Sequence, residues 1–230
     1  MLIEDKTYII PNISLDIPVL YNDDDIIVFD KPPFMAVHPS LKHYDDTLAN
    51  YFTALYPDMV FRSINRLDRN TSGIVVVAKN QLSASQLSGN TRFHPKKLYY
   101  AIVDGDITNE FCDAGEIIAP IARVSDSIIN REVREDGQHA HTVFKVIKSN
   151  SKMSLLEISL VTGRTHQIRV HFSHFGYTLL GDDLYGGDTS MINRQALHCG
   201  FVSFVHPVTK KIITVKSDFP NDMKRIIDLL

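Results

Sequence analysis

The sequence predicts an α+β fold, built on a large mixed, mainly antiparallel β-sheet that is flanked by helices and loops. Short β-rich runs outnumber helical patterns, and the two kinds of element do not alternate strictly along the chain. The chain has 230 residues, of which 44% are hydrophobic and 22% are charged, as in an ordinary globular protein. This length allows a core to be buried in one large domain or in two small ones.

Seven runs of residues have the character of β-strands. The alternation of apolar and polar residues in VFKVIK and LLEISLV predicts half-buried antiparallel strands, whereas the continuous run GIVVVA predicts a strand buried on both faces. The predicted strands are 26–31, 73–79, 98–105, 141–148, 153–161, 201–205 and 211–217.

Helical patterns are fewer. We expect Asp45 or Asp46 to cap the first helix, Thr165 to cap the third, and Gly176 to end the third. The polar segment Asp106–Gln138 is predicted to be a mobile loop or a ribbon over the site. The predicted helices are 46–55, 81–87, 165–175 and 219–230.

The compartment is indicated by features that the sequence lacks. No apolar run approaches the ~20 residues that a membrane-spanning helix needs, and the N-terminal stretch does not have the layout of a signal peptide. The two cysteines, Cys112 and Cys199, have no metal-type spacing and are typical of buried thiols in a reducing compartment. We therefore expect a cytoplasmic protein with no membrane partner.

Charged residues are segregated along the chain, although the net charge is only −3. Residues 1–30 contain one lysine and seven acids, a net charge of −6, whereas residues 61–100 contain seven basic residues and one acid, a net charge of +6. A basic stretch of this kind suits RNA, because phosphate contacts supply most of the affinity for nucleic acids. The alternative is a mixed surface on which the charges interleave after folding.

The one acid in the basic stretch is Asp68, which lies between Arg66 and Arg69 in the run INRLDRNTSG. The flanking arginines favour the ionised carboxylate, which makes it a poor general acid or base at neutral pH. An ionised carboxylate can instead act as a nucleophile or stabilise a cationic carbon, as in glycosyl chemistry. The alternative is a surface ion pair that stabilises a turn before the strand at 73–79.

A second polar cluster lies in the predicted helix at 165–175. Ile168, Phe172 and Phe175 form one apolar stripe on a 3.6-residue period, and Arg169 lies beside it. A buried arginine favours a bidentate carboxylate partner, for which Asp68 is the candidate.

Three histidines of the same segment, His166, His171 and His174, raise the possibility of a metal site. Only the last two clearly share a helix face, and no HExxH pattern is present. We therefore expect no metal there, and a metal-dependent hydrolase that uses these histidines is the weakest of the hypotheses.

Taken in order, five stretches of the sequence resemble the motifs of RluA-type pseudouridine synthases. The resemblance extends from about Tyr21 to Val215 and implies the pseudouridine synthase fold, with a short N-terminal extension at 1–20 and a single catalytic domain at 21–230. The stretches are DDIIVFDKPPFMAVHPS, NRLDRNTSGIVVVAK, KKLYYAIVDG, GRTHQIRVHF with GYTLLGDDLYG, and LHCGFVSFVHPVTKK.

The resemblance also implies roles for individual residues. Asp68 would be the catalytic aspartate, and Arg66 would fill the space that the flipped base leaves. Tyr99 would pack against the target base and assist proton removal, Arg169 would pair with Asp68, and Ile168 would line the base pocket.

Substrate binding is expected to involve three further residues. Lys97 and Arg164 would bind phosphates, and Asn65 stands where the family usually has histidine, which affects substrate positioning. Many relatives carry a small N-terminal RNA-binding domain, whereas only about 20 residues precede the core here, so the core itself would grip the RNA.

The resemblance implies an enzyme that isomerises uridine to pseudouridine in a structured stem-loop of ribosomal or transfer RNA. The reaction involves no redox step, so no cofactor is expected, and a monomer is the default. Whether the aspartate attacks the sugar or supports loss of a proton from it stays open. The alternative is a non-catalytic RNA-binding or ribosome-assembly protein that keeps the same fold.

Overall fold

The computed structural model describes residues 9–88, 93–127 and 129–230 and confirms the α+β class. None of the helices in these ranges is long and apolar enough to cross a membrane. The strands are Val19–Asn22 (β1), Ile26–Lys31 (β2), Arg62–Ser63 (β3), Ser72–Ala78 (β4), Lys96–Asp104 (β5), Ala114–Ile118 (β6), Ile121–Arg123 (β7), Arg131–Val133 (β8), His141–Ser149 (β9), Met153–Leu160 (β10), Leu197–Val205 (β11) and Ile212–Lys216 (β12). The helices are Leu48–Leu55 (α1), Gln81–Leu87 (α2), Thr108–Phe111 (α3), Gln167–His174 (α4) and Asn221–Ile227 (α5).

The chain forms two compact units, of which the first comprises Met1–Lys96 and Phe201–Ser217. In this unit β2 pairs antiparallel with β1 and with β4, and the short β3 also pairs with β4. Every residue of β4 is buried, as the run of branched apolar residues predicted. The loop that carries Asp68 joins β3 to β4, so it is attached to the buried centre of this unit.

The second unit comprises Lys97–Gly200 and Asp218–Leu230. Its strands β5, β10, β9 and β6 are neighbours in that order and pair antiparallel. The first half of β9 alternates between buried and exposed residues, which confirms the predicted half-buried strand. The segment 106–138 contains α3, β6 and an antiparallel β7–β8 ribbon, so a ribbon forms as predicted, while its expected position over the site stays a prediction.

The cap predicted for α1 is wrong. Thr47, not Asp45 or Asp46, is the last residue with extended backbone, and its N–H donates to Asn50 Oδ1 at 3.0 Å. The Thr47 hydroxyl donates to the same oxygen, while Asn50 Nδ2 donates to the carbonyl of Tyr44 at 2.8 Å. The buried Thr47–Asn50 pair therefore satisfies the helix start, a task that the more exposed acids do not perform.

The cap predicted for α4 is also wrong, because the helix starts at Gln167 and not after Thr165. The Gln167 side chain accepts hydrogen bonds from the Thr162 hydroxyl at 2.8 Å and the Arg164 N–H at 2.9 Å. It also donates to the carbonyl of His141 at 3.0 Å. A buried glutamine thus ties the loop before α4 to β9, because buried polar groups need hydrogen-bond partners.

The apolar stripe of α4 is confirmed only in part. Ile168 and Phe172 are buried, whereas Phe175 is 37% exposed. The helix ends at His174, so Phe175 leaves the helical period and packs edge-on against Phe111, with ring centroids 5.5 Å apart.

Candidate active site

The loop between β3 and β4 presents Asp68 half-buried between two exposed arginines, Arg66 and Arg69. Leu67 is buried and anchors the loop, and the carbonyl of Asp68 accepts a hydrogen bond from Thr71 N–H at 3.0 Å. The apolar residue faces inward while its neighbours face outward. The loop therefore offers a carboxylate at a surface with two cationic side chains.

Lys31, at the end of β2, anchors the Asp68 loop through hydrogen bonds. Its side chain is fully buried, and its ammonium donates to the carbonyls of Pro32 and Met35, both at 2.8 Å, and of Arg69 at 3.2 Å. A buried ammonium needs such acceptors because loss of hydration is costly. The residue after Asp68 is thereby tied to the turn that follows β2.

Asn65 also positions the Asp68 loop. Its side-chain amide donates to the carbonyl of Ile74 at 3.0 Å and accepts from Val76 N–H at 2.9 Å, so it continues the hydrogen bonding of β3 along β4. These contacts give the buried Asn65 a structural role, and the expected contact with substrate stays a prediction.

We expect Asn65→Asp to destabilise the protein by roughly 1–3 kcal/mol, because the new carboxylate cannot donate to the Ile74 carbonyl and is buried beside it. Urea unfolding measures the change, and kcat and KM are compared in parallel. The exposed Asn109→Asp is the matched control. Wild-type stability in Asn65→Asp would show that the bridge to β4 is dispensable.

The two tyrosines of β5 lie in different environments. Tyr99 is buried, and Tyr100 is half-buried with its hydroxyl donating to Glu157 Oε2 at 3.1 Å. Burial, together with this hydrogen bond, raises the pKa of Tyr100. Tyr100 therefore serves as a structural comparison for the role predicted for Tyr99.

Lys96 and Lys97 differ in the same way. Lys96 is exposed, whereas burial lowers the pKa of the Lys97 ammonium. Lys97 is half-buried, so it presents less of its side chain to solvent than Lys96 does. Lys96, the neighbouring lysine of the same basic stretch, is the more exposed of the two and presents its charge at the surface for a phosphate.

Arg169 of α4 is buried and forms a bidentate ion pair with Asp182, with Nε–Oδ2 and Nη2–Oδ1 distances of 2.7 Å each. Asp182 is absent from the site residues that the sequence predicts, because the sequence pattern favours Asp68 as the bidentate partner. The sequence signal that could have identified Asp182 is its position in LLGDDLYG, only 13 residues after Arg169. The pairing of Asp68 with Arg169 stays a prediction.

Gly181 allows Asp182 to take this position. It has φ +75°, and a Cβ at this residue would lie only 2.0 Å from the carbonyl oxygen of Arg194. Only glycine combines this conformation with such a close backbone contact. The turn that carries Asp182 is therefore specified by the residue before it.

Tyr185 completes the surroundings of Arg169. The guanidinium carbon lies 4.9 Å from the centroid of the Tyr185 ring, a cation–π geometry. The Tyr185 hydroxyl accepts from Arg131 N–H at 3.1 Å and bonds to His166 Nδ1 at 2.9 Å. The Arg169 guanidinium thus contacts both the Asp182 carboxylate and the Tyr185 ring.

The remaining predicted residues of this unit differ in exposure. Ile168 is buried, as a pocket-lining residue would be. Arg164 is exposed, and its Nε donates to the carbonyl of His139 at 2.9 Å, which leaves its charge at the surface for a phosphate.

The three histidines of the metal hypothesis have separate environments. His171 is buried, with Nδ1 on the Thr142 hydroxyl at 2.9 Å and Nε2 on the carbonyl of Ala119 at 3.0 Å. Burial lowers its pKa. His166 bonds to Tyr185, and His174 is exposed, so the structure does not bring the three together as metal ligands.

Comparison with known proteins identifies the family. Residues 25–174 match the family described as RNA pseudouridylate synthase. The chain is 40% identical over 227 residues to the uncharacterized RNA pseudouridine synthase YjbO of Bacillus subtilis, covering 96% of this chain and 78% of that protein. It is 34% identical over 236 residues to ribosomal large subunit pseudouridine synthase D of Pseudomonas aeruginosa, covering 94% of this chain and 72% of that protein.

A solved structure supports the fold. Human RNA Pseudouridylate Synthase Domain Containing 1 matches with a TM-score of 0.71 and 23% sequence identity, covering 90% of this chain and 85% of that chain. This likeness shows the pseudouridine synthase fold that the sequence motifs implied. On the family match and the similarity along nearly its whole length, the chain belongs to the RNA pseudouridylate synthase family.

Proposed function

We propose that this RNA pseudouridine synthase isomerises uridine in large-subunit ribosomal RNA, with Asp68 acting on the ribose. The observation that carries the assignment of Asp68 is its half-buried carboxylate between exposed Arg66 and Arg69, on a loop anchored by Lys31 and Asn65. Ribosomal RNA is supported by relatives that are named ribosomal large subunit pseudouridine synthases. Transfer RNA is the second candidate substrate.

The reaction breaks the bond between the ribose and the base nitrogen, and the base rejoins the sugar through carbon 5. An ionised Asp68 suits either attack on the sugar or electrostatic support for loss of a proton from it. Flipping the uridine out of its stack costs a few kcal/mol, and the exposed Arg66 side chain would offset part of this cost by filling the gap.

We further propose that Tyr99 and Ile168 form the apolar wall of the base pocket and that Arg169 balances the charge of Asp68. The support for Arg169 is its rigid position, since Asp182 and Tyr185 together restrict its guanidinium. A preorganised cation costs little reorganisation when the substrate binds. Residues 21–230 would act as one catalytic domain, as a monomer, in the cytoplasm where ribosomal RNA is found.

Phosphate binding by Lys96 is tested by the salt dependence of RNA affinity. We expect Lys96→Ala to weaken binding to a labelled RNA stem-loop and to reduce the slope of log affinity against log salt by about one, because one counterion fewer is released. The exposed Lys148→Ala serves as a comparison on another strand, and Lys97→Ala should change the slope less. An unchanged slope in Lys96→Ala would remove this lysine from the RNA contact.

The activity and its target are tested together by pseudouridine mapping on total RNA from cells with and without the gene. We expect a site in large-subunit ribosomal RNA to be lost on deletion and to return with the wild-type gene. A lost site in transfer RNA would correct the substrate. If no site changes, the catalytic assignment fails, and a non-catalytic RNA-binding role replaces it.

A further inference from the structure

Phe34, in the turn after β2, combines two unfavourable features. Its φ is +65°, a left-handed conformation that is a genuine outlier for a bulky residue, and its side chain is 42% exposed to solvent. The other non-glycine residues with positive φ in the described ranges are polar or, like Cys112, small. Neither backbone preference nor burial in a core accounts for phenylalanine at this position.

The turn cannot relax easily, because Lys31 holds it on both sides of Phe34. The buried ammonium bonds to the carbonyls of Pro32 and Met35, which flank Phe34 in the chain. Its third acceptor is the carbonyl of Arg69, next to Asp68. One buried cation therefore fixes both the strained turn and the proposed catalytic loop. Strained conformations that are held in this way cluster at functional sites.

The loop that is tied to the Phe34 turn through Lys31 carries exposed cationic side chains. Arg66 and Arg69 are exposed on the loop that shares Lys31 with the Phe34 turn. Burial, and then the charge of Arg66, lower the pKa of His38, four residues after Phe34. An exposed aromatic ring among cations is the combination with which proteins bind unpaired nucleotides, since the ring stacks on a base and the cations bind phosphates.

We propose that Phe34 stacks on an unpaired RNA base near the target uridine and helps to select the loops that the enzyme accepts. This inference rests on the proposed function and adds a specificity-determining contact to it. The backbone conformation at this position favours glycine, and stacking of the exposed ring on an RNA base explains why phenylalanine is present instead. The contact would be sequence-tolerant, because every base has a face on which an aromatic ring can stack.

The test is a substitution with opposite effects on stability and binding. We expect Phe34→Gly to raise the thermal midpoint by about 2–4 °C, because glycine adopts the left-handed conformation without strain. The same change should weaken binding to a fluorescent RNA stem-loop with an all-uridine loop roughly 5- to 100-fold, the loss of one stacked base. KM for RNA from cells lacking the gene should rise with little change in kcat.

Three further variants separate the effect of the aromatic ring on RNA affinity from the effect of the backbone strain on stability. Phe34→Tyr should keep the affinity for the stem-loop, whereas Phe34→Leu should lose it without gaining stability. Leu82→Ala, at an exposed apolar residue of α2 in the same unit, should change neither quantity. Wild-type affinity in Phe34→Leu, or lower stability in Phe34→Gly, would overturn the proposal.

Two results distinguish this inference from the proposed function. Isomerisation by the wild type with unchanged binding and KM in Phe34→Gly overturns the stacking role alone. Absence of both RNA binding and isomerisation in the wild type overturns the proposed function and the stacking role with it. A changed oligomeric state at unchanged RNA affinity would assign Phe34 to a protein contact and also refute stacking.

Discussion

Asp68→Asn is expected to lower pseudouridine formation on the order of a thousandfold or more, while affinity for the RNA stem-loop stays within a few-fold. Asparagine keeps the shape of the side chain but is neutral, so it neither attacks the ribose nor stabilises positive charge on it. The measurement compares turnover of RNA from cells lacking the gene with stem-loop binding at the same ionic strength.

The exposed Asp58→Asn is the matched control, since it removes one negative charge from the same unit. It should leave turnover and binding near the wild-type values. Loss of RNA binding in Asp68→Asn with activity retained would contradict the catalytic assignment and would make the carboxylate a binding or structural group.

Asp182→Ala is expected to destabilise the protein by about 3–5 kcal/mol, because it removes the bidentate partner of a buried arginine. Activity should fall as well, since Arg169 loses the contact that fixes its guanidinium. Urea unfolding gives the stability, and turnover is measured at a temperature where the variant is folded. Asp183→Ala, at the exposed neighbouring acid, should leave both quantities nearly unchanged.

A double variant separates the structural role of this ion pair from its proposed role in the reaction. Arg169→Met combined with Asp182→Leu replaces both charges by apolar groups, which often restores the stability that a single removal costs. We expect the double variant to be folded but inactive. An active double variant would show that Arg169 serves the fold alone.

Local sequence patterns were sufficient to predict most of the secondary structure. The bounds of β2 and α2 match the prediction, and β4 is buried throughout, because branched apolar runs and short helical periods have few alternatives. The short strands β1, β3, β7 and β8 were not predicted individually. They have two to four residues each, too few for a period to be recognised, and depend on pairing with neighbours.

The helix starts show where local signals fail. Asp45, Asp46 and Thr165 are all favourable capping residues, yet Asn50 and Gln167 provide the hydrogen bonds instead. Several residues near each start have a suitable side chain, and the chain path decides which of them reaches the backbone. Capping preference is a weak local effect that tertiary contacts override.

The sequence by itself determined the family and the fold class and predicted Asp68 as the catalytic residue, because these rest on the order of residues along the chain. Only the tertiary structure decided that Asp182 is the bidentate partner of Arg169, that Asn65 bridges to β4, and that Lys31 joins the Phe34 turn to the Asp68 loop. Each of these depends on which buried polar groups meet in space. A buried charge or amide must find a partner, but the sequence does not say which one.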